Sequence, residues 1–218
     1  MTDFAVARRN MVEGQVRTAD VTDLRIISAM LEIPRERFVG PAMAELAYLD
    51  LDVPVGEGTV ARRLVKPMVL SKLIQAIKIA GDGRVLDVGC ATGYGATVLA
   101  RMAGHVVALE QDPVLARSAS AALADEANVT AVSGPLADGF AQGGPYDAIL
   151  MEGATEFPPQ TLFRQLKDGG RLACVLGAEP GAKAMLYRRS GEEVGGRPIF
   201  DAAAPLLPGF AKPLAFVF

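Results

Sequence analysis

Residues 84–96 read RVLDVGCATGYGA, an apolar segment that runs directly into a glycine-rich turn. The apolar part predicts a buried strand of a parallel sheet, and the residues after the turn predict a helix. In open parallel sheets, ligands bind at the carboxyl ends of the strands, where glycines let the backbone approach them closely. The stretch therefore predicts an α/β fold with a ligand site at Gly89, Gly93 and Gly95.

The rest of the chain extends the alternation that this stretch begins. From Gly81 onward, short apolar segments alternate with helical ones, which predicts a Rossmann-like, doubly wound α/β fold whose mostly parallel sheet has about seven strands. After Gly181, the segments AMLYRR, RPIFDA and PLAFVF predict antiparallel C-terminal strands, because only short Gly- and Pro-rich connections separate them. The expected parallel strands are 85–88, 106–109, 129–132, 148–151 and 172–176, and the expected helices lie near 94–102, 113–125 and 158–166.

The part of the chain before this core has a different pattern. Apolar residues recur at helical spacing as far as Tyr48, whereas residues 50–66 lose that period and contain Pro and Gly, which indicates a loop. Pro67 suits the first turn of the next helix. We therefore expect a single domain, residues 1–218, in which an N-terminal helical cap and loop (1–66) precede a cofactor-binding core (67–218).

Composition and charge narrow the class of protein. The chain has 218 residues, of which 50% are hydrophobic and 22% charged, as is typical of a globular protein. Its net charge of -3 argues against nucleic-acid and membrane partners. We find neither an apolar signal segment nor a run of about 18 apolar residues. Two cysteines and one histidine indicate neither a disulfide framework nor a metal site, so we expect a cytoplasmic protein without a metal.

Two acidic residues indicate which ligand the glycine turn binds. Glu110 ends the next predicted strand, 21 residues after Gly89, where a carboxylate accepts hydrogen bonds from both ribose hydroxyls of a nucleoside. Asp87 precedes the glycines and is unfavourable beside a pyrophosphate, but it suits a ligand that carries an ammonium and a sulfonium. S-adenosylmethionine carries both. The glycine spacing also departs from Gly-x-Gly-x-x-Gly, which disfavours a nicotinamide-dependent oxidoreductase.

Further candidates follow the later strands of the predicted sheet. Gly134 and Leu136 come after the third strand, where backbone groups and apolar packing would hold an adenine, and Glu152 ends the fourth strand at the same edge. The complete set of predicted cofactor-binding residues is Asp87, Gly89, Cys90, Ala91, Thr92, Gly93, Glu110, Gln111, Gly134, Leu136 and Glu152.

The pattern Asp87-x-Gly89-x-x-x-Gly93 resembles the first motif of class I S-adenosylmethionine-dependent methyltransferases. Four further segments resemble the protein-L-isoaspartate O-methyltransferase family more narrowly. The resemblance implies an enzyme that methylates the free carboxylate of isoaspartyl residues in damaged proteins, with a protein or peptide as the acceptor. The four segments are NMVEGQVRTADVTDLRIISAMLEIPRERFV at 10–39, AYLDLDVPVGEG at 47–58, PYDAILMEGA at 145–154 and LKDGGRLACVLG at 166–177.

One loop departs from that family. The family has approximately Thr-Ile-Ser-x-Pro-x-Met here, with a hydroxyl that serves the acceptor carboxylate, whereas Val65 holds the hydroxyl position in this chain. Neither Thr59 nor Ser71 falls at the matching position. The loop is basic instead, and Arg62, Arg63, Val65 and Lys66 are the candidates for contact with an acidic acceptor, because guanidinium groups bind carboxylates at two points.

The departure leaves several functions open. A carboxylate is already ionised at pH 7, with an ordinary pKa near 4, so its methylation requires no general base. The acceptor is either an isoaspartyl protein or another acceptor such as an acidic small molecule. The third possibility is a regulatory protein that binds the cofactor without turnover. The chain is expected to be a monomer or a dimer, and its apolar C-terminal segment would complete the sheet, cover the crevice or form a dimer contact.

Overall fold

The computed structural model describes residues 3–56, 62–178 and 180–212, and its centre is a seven-stranded sheet. The strand order is β5-β4-β3-β6-β7-β8-β9, with parallel pairing from β5 to β7 and antiparallel pairing of β8 and β9. The strands are β3 (Arg84–Val88), β4 (His105–Glu110), β5 (Val129–Ser133), β6 (Tyr146–Thr155), β7 (Leu166–Leu176), β8 (Lys183–Ser190) and β9 (Glu193–Asp201). The expected doubly wound α/β fold with antiparallel C-terminal strands is confirmed.

In the described part of the chain, five helices pack on one face of this sheet, and a single helical turn together with the C-terminal residues Leu207 and Phe210 covers the other face. Successive residues of each strand point to opposite faces, so Val85 and Leu150 pack under the N-terminal cap while Leu86 and Ile149 pack on the other side. The helices are α1 (Phe4–Met11), α2 (Leu24–Glu32), α3 (Pro67–Ile77), α4 (Tyr94–Ala100), α5 (Pro113–Ala122) and α6 (Gln160–Phe163). Among the described residues, no helix has the length and apolar character needed to cross a bilayer.

Two segments differ from the sequence expectation. The helix expected near 158–166 is only the single turn α6, because β7 already begins at Leu166. The expected loop at 50–66 contains two paired strands, β1 (Val53–Val55) and β2 (Arg62–Leu64). Short strands of this kind are hard to predict, because three residues are too few to show a period. The predicted strand PLAFVF lies outside the described residues.

A buried arginine ties the cap to the loop before α3. Arg35 is fully buried, and its Nε donates to the carbonyl of Ala47 at 2.8 Å while its Nη2 donates to the carbonyl of Val65 at 2.9 Å. Its guanidinium also lies over the ring of Tyr94, 4.6 Å from the centroid, in a cation–π contact. Arg35 therefore fixes the position of Val65 relative to the start of α4.

The C-terminal segment crosses the carboxyl edge of the sheet. Ala154 donates to the carbonyl of Pro205 at 2.8 Å, and Leu207 donates to the carbonyl of Ala154 at 2.9 Å. The Leu207 side chain packs against Gly89 and Gly153 and is buried. Residues 205–207 thus lie against the ends of β3 and β6, and Leu206 forms a parallel bridge with Ala154.

This packing predicts the effect of Gly153→Ala. A Cβ atom at position 153 would lie 2.7 Å from Leu207 Cγ and 2.7 Å from the Pro205 carbonyl oxygen, so the segment must shift. We expect the free energy of unfolding to fall by about 1–3 kcal/mol in urea denaturation. In the matched control Gly195→Ala, an added Cβ meets no atom within 4 Å, and we expect a change within about 0.5 kcal/mol. Equal stabilities for the two variants would contradict this packing.

Candidate active site

The glycine turn is fastened to β4 on one side and to the cap on the other. The amides of Gly89 and Cys90 donate to the carbonyl of Leu109 at 2.9 Å and 3.1 Å. Thr92 Oγ1 donates to the carbonyl of Phe38 at 2.6 Å, so this hydroxyl contacts the cap. Gly89 has φ +81°, in the left-handed region that favours glycine. The loop is therefore held rigidly at the end of β3.

Glu110 is the most heavily bonded side chain of the site. It is 1% exposed at the end of β4. Its Oε2 accepts from the Ala91 amide at 2.8 Å and from Arg62 Nη2 at 2.9 Å. Its Oε1 accepts from the amides of Gln111 and Asp112 at 2.9 Å and 3.0 Å. A carboxylate has about four acceptor sites, and these four donors fill them. A ribose hydroxyl could therefore bind Glu110 only where Arg62 now donates.

The position of Arg62 corrects its assignment to the acceptor side. Its side chain is 3% exposed, and Nη2 also donates to the Gly89 carbonyl at 2.9 Å. Alternation along β2 explains the difference, because Arg62 points inward towards the glycine turn whereas Arg63 points to the opposite face. Of the three basic candidates, Arg63 and Lys66 line a groove next to the edge of the sheet, whereas Arg62 lies beside the predicted ribose carboxylate.

Two further carboxylates lie beneath the glycine turn without partners. Asp87 and Glu152 are fully buried on the adjacent strands β3 and β6. Within the described part of the chain, both Asp87 oxygens and Glu152 Oε1 make no hydrogen bond. Burial raises the pKa of Glu152 to about 7, and burial together with the charge of Glu152 raises the pKa of Asp87 well above its usual range. A cationic group beside these two carboxyls would favour their ionised form and lower both pKa values.

Glycine at position 95 makes room for one of these carboxylates. A Cβ atom there would lie 1.8 Å from Glu152 Oε1, so only glycine leaves the space that the carboxylate fills. Gly95 therefore has a packing role in the site, whereas Gly93, with φ +96°, supplies the left-handed conformation at the start of α4.

The predicted adenine-binding residues meet at the ends of β4 and β5. The Gly134 amide donates to the Glu110 carbonyl at 3.1 Å, and the Leu136 amide donates to Gln111 Oε1 at 3.2 Å. Leu136 is fully buried in the apolar cluster under this edge. The structure thus brings together, along one edge of the sheet, the predicted cofactor-binding residues Asp87, Gly89, Cys90, Ala91, Thr92, Gly93, Glu110, Gln111, Gly134, Leu136 and Glu152.

A groove opens next to this edge, on the side of the loop that joins the N-terminal cap to α3. Its cavity of about 550 Å³ is lined by the basic residues Arg63 and Lys66 and by the acidic residues Asp52 and Glu156. A second cavity of about 570 Å³ shares Lys66 with it and extends it towards β8 and β9. The groove has the size for an extended peptide or a small acid, with its cationic groups at the cap side.

No hydroxyl replaces the one that Val65 lacks, as far as the described residues show. Val65 is fully buried, and its carbonyl accepts from Arg35. Ser71 is buried in α3, and its Oγ donates to the Met68 carbonyl at 3.0 Å. Thr59 lies outside the described residues. Among the described residues of this loop, the polar side chains that line the groove are Asp52, Arg63 and Lys66.

Comparison with known proteins identifies the family. The family model for protein-L-isoaspartate(D-aspartate) O-methyltransferase matches residues 7–198. The chain belongs to this family. A protein-L-isoaspartate O-methyltransferase 1 of Rhodopseudomonas palustris strain HaA2 is 38% identical over 197 residues, which cover 88% of this chain and 79% of the relative. A protein-L-isoaspartate O-methyltransferase of Methylorubrum extorquens strain PA1 is 37% identical over 194 residues, with 88% and 83% covered.

Solved structures agree with the fold. A protein-L-isoaspartate O-methyltransferase structure superposes with a TM-score of 0.80 at 25% identity, and the alignment covers 93% of this chain and 66% of that chain. A second structure, from Plasmodium falciparum in complex with S-adenosyl-L-homocysteine, has a TM-score of 0.72 at 17% identity and covers 95% of this chain and 99% of that chain. Members of this family are methyltransferases that use S-adenosylmethionine.

The residues of this chain fit that cofactor. The unpartnered carboxylates of Asp87 and Glu152 suit its ammonium group, and Glu110 suits the ribose once Arg62 has moved. Sequence reasoning missed Arg35 and Tyr94, which are both fully buried beside these carboxylates. The burial of Arg35 could not be predicted, because nothing in IPRERF distinguishes this arginine from the charged residues beside it.

The raised pKa of Glu152 predicts a dependence of stability on pH. Between its ordinary pKa of 4.5 and its folded pKa of about 7, the unfolded carboxyl has lost its proton while the folded one keeps it. The free energy of unfolding therefore falls as pH rises through this window. Glu152→Gln has no proton to lose, so we expect it to gain stability relative to wild type between about pH 5 and about pH 8. Urea denaturation at both pH values measures this, and a constant difference between the two proteins would contradict it.

Proposed function

We propose that this protein transfers the methyl group of S-adenosylmethionine to the free carboxylate of isoaspartyl residues in proteins or peptides. The observation that carries the proposal is that the unpartnered carboxylates of Asp87 and Glu152 lie at the same edge of the sheet as a groove that Arg63 and Lys66 line. One site suits a cationic cofactor and the other suits an anionic acceptor. Membership of the family supports the same pairing of cofactor and acceptor.

The cofactor supplies a methyl group on a sulfonium, so that the acceptor oxygen forms the new C–O bond while the C–S bond breaks and its electron pair stays on sulfur. The chain has to bind and align the two reactants, because an ionised carboxylate needs no general base. Asp87 and Glu152 would hold the ammonium end. Glu110 would accept a ribose hydroxyl in place of Arg62, and Gln111 with residues 134–136 would enclose the adenine.

Arg63 and Lys66 position the acceptor. Both line the groove, and Arg63 Nη1 donates to the Asp52 carbonyl at 3.1 Å, which limits the freedom of its guanidinium group. The Lys66 amide donates to Asp52 Oδ1 at 2.8 Å, so the same aspartate also fixes the backbone of the loop. Charge-assisted hydrogen bonds from these two side chains would orient an acceptor carboxylate.

One observation favours a second candidate function with the same cofactor. The family hydroxyl is replaced by the buried Val65, so the acceptor is held by cations alone. Such a groove suits an acidic small molecule as well as an isoaspartyl peptide.

For either acceptor, we propose that the cap and the core act as one domain and that the protein is a monomer or a dimer. We place the protein in the cytoplasm, because Cys90 and Cys174 are both buried free thiols.

Methyl transfer to matched peptides tests the proposal. We expect radiolabelled S-adenosylmethionine to give base-labile label on an isoaspartyl peptide and none on its aspartyl twin. We expect the double variant Arg63→Gln/Lys66→Gln to raise the acceptor KM about thirtyfold, since each of the two lost charge-assisted bonds contributes on the order of 1 kcal/mol. Lys167→Gln, at the other end of the sheet in an exposed pair with Asp147, is the control and should leave KM unchanged.

The other results separate the alternatives. Label on a small carboxylic acid but on neither peptide would support the second candidate function. Firm binding of S-adenosylhomocysteine without transfer to any acceptor would indicate a regulatory protein and contradict both enzymatic proposals. An unchanged KM in the double variant would remove the groove from the acceptor site.

A further inference from the structure

Buried polar atoms without a partner are concentrated in one place in the described part of the chain. Apart from Gln15 Oε1, all such side-chain atoms belong to five residues near the glycine turn. They are Asp87 Oδ1 and Oδ2, Glu152 Oε1, Arg62 Nε, Arg35 Nη1 and Tyr94 OH. In a folded protein, nearly all buried polar groups form hydrogen bonds. Each buried group without a hydrogen bond costs about 1–3 kcal/mol of stability. A concentration of this kind therefore marks a site that a ligand completes.

The geometry of the fold makes these residues one cluster. Asp87 and Glu152 lie on adjacent strands, and the Glu152 carboxylate packs against Gly95 at the start of α4. Tyr94 immediately precedes that glycine, and the Arg35 guanidinium lies over the Tyr94 ring at 4.6 Å. The chain of contacts thus runs from the sheet through α4 to the N-terminal cap.

The unpartnered atoms are of two opposite kinds. The carboxylate oxygens of Asp87 and Glu152 accept hydrogen bonds, whereas Arg35 Nη1 donates and the Tyr94 hydroxyl can donate. A ligand that carries an ammonium and a carboxylate close together would satisfy both kinds at once. That combination is an α-amino acid group.

Arg35 is prepared for such a carboxylate. Its Nε and Nη2 are already held by the carbonyls of Ala47 and Val65, so Nη1 is the nitrogen that is left to bind a ligand. An arginine whose other donors are fixed loses little conformational entropy when it forms the last bond. The cap therefore contributes a guanidinium nitrogen, Nη1, whose two N–H groups have no hydrogen-bond partner among the described residues.

We propose that Arg35 and Tyr94 bind the carboxylate of the amino acid portion of S-adenosylmethionine, opposite the Asp87 and Glu152 carboxylates that bind its ammonium. This inference rests on the proposed function for the identity of the ligand. It gives the N-terminal cap a direct part in cofactor recognition. It also links cofactor and acceptor, because the same guanidinium group holds the Val65 carbonyl in the acceptor loop.

A pair of ligands that differ only in the amino acid portion tests this inference. S-adenosylhomocysteine carries that portion, and 5′-methylthioadenosine keeps the adenosine thioether without it. We expect Tyr94→Phe to weaken S-adenosylhomocysteine about five- to tenfold in calorimetric titration, as for one lost hydrogen bond, and to leave 5′-methylthioadenosine unchanged. Phenylalanine keeps the ring beneath Arg35, and Tyr187→Phe on β8 is the control that should affect neither ligand.

A second variant and the remaining outcomes complete the test. Arg35→Met, compared by the same two titrations after its fold is checked by circular dichroism, should lose more affinity for S-adenosylhomocysteine than Tyr94→Phe does. An equal loss for both ligands, or no loss for either, would overturn the inference. Wild-type protein that binds neither ligand would overturn it together with the proposed function. If the two ligands bind the variants as expected but the wild-type protein transfers no methyl group, only the proposed function is overturned.

Discussion

The ion pair between Arg62 and Glu110 is the constraint on which the rest of the site depends. Both side chains are almost completely buried, and removal of one partner from such a pair usually costs several kcal/mol because the other charge stays uncompensated. Glu110 is protected from that cost, because three backbone amides also donate to it. A ribose can therefore replace Arg62 without leaving the carboxylate unpaired. The pair holds the Glu110 carboxylate in place before the cofactor arrives.

The strand β2 also connects this carboxylate to the proposed acceptor groove. Arg62 and Arg63 are neighbours on β2 and point to opposite sides, one towards the glycine turn and the other into the groove. Residue 65, a few positions further on, is held by Arg35 from the cap. An exchange at Glu110 thus acts on the segment that carries the acceptor cations. We infer that binding of the cofactor and binding of the acceptor influence each other through the segment from Arg62 to Lys66.

Sequence patterns predicted the parts of this protein that depend on period and spacing. The buried strands, the glycine turn and Glu110 at the next strand end follow from alternation and from the distance between motifs. The direction of individual side chains in short elements does not follow from them. Arg62 and Arg63 look equivalent in VARRLVK, and only the pairing of β2 with β1 shows which one is buried. The role of Arg35 likewise depends on contacts with two distant carbonyls.

Calorimetric titration of S-adenosylhomocysteine into wild type, Arg62→Met and Arg63→Met tests the central claim most directly, namely that Arg62 holds the place of the ribose on Glu110. If it does, Arg62→Met removes an internal competitor and binds more tightly than wild type. Arg63→Met, which leaves Glu110 untouched, keeps the wild-type affinity. Weaker binding by Arg62→Met, or equal affinities for all three proteins, would contradict the claim and assign the Arg62–Glu110 pair to the fold alone.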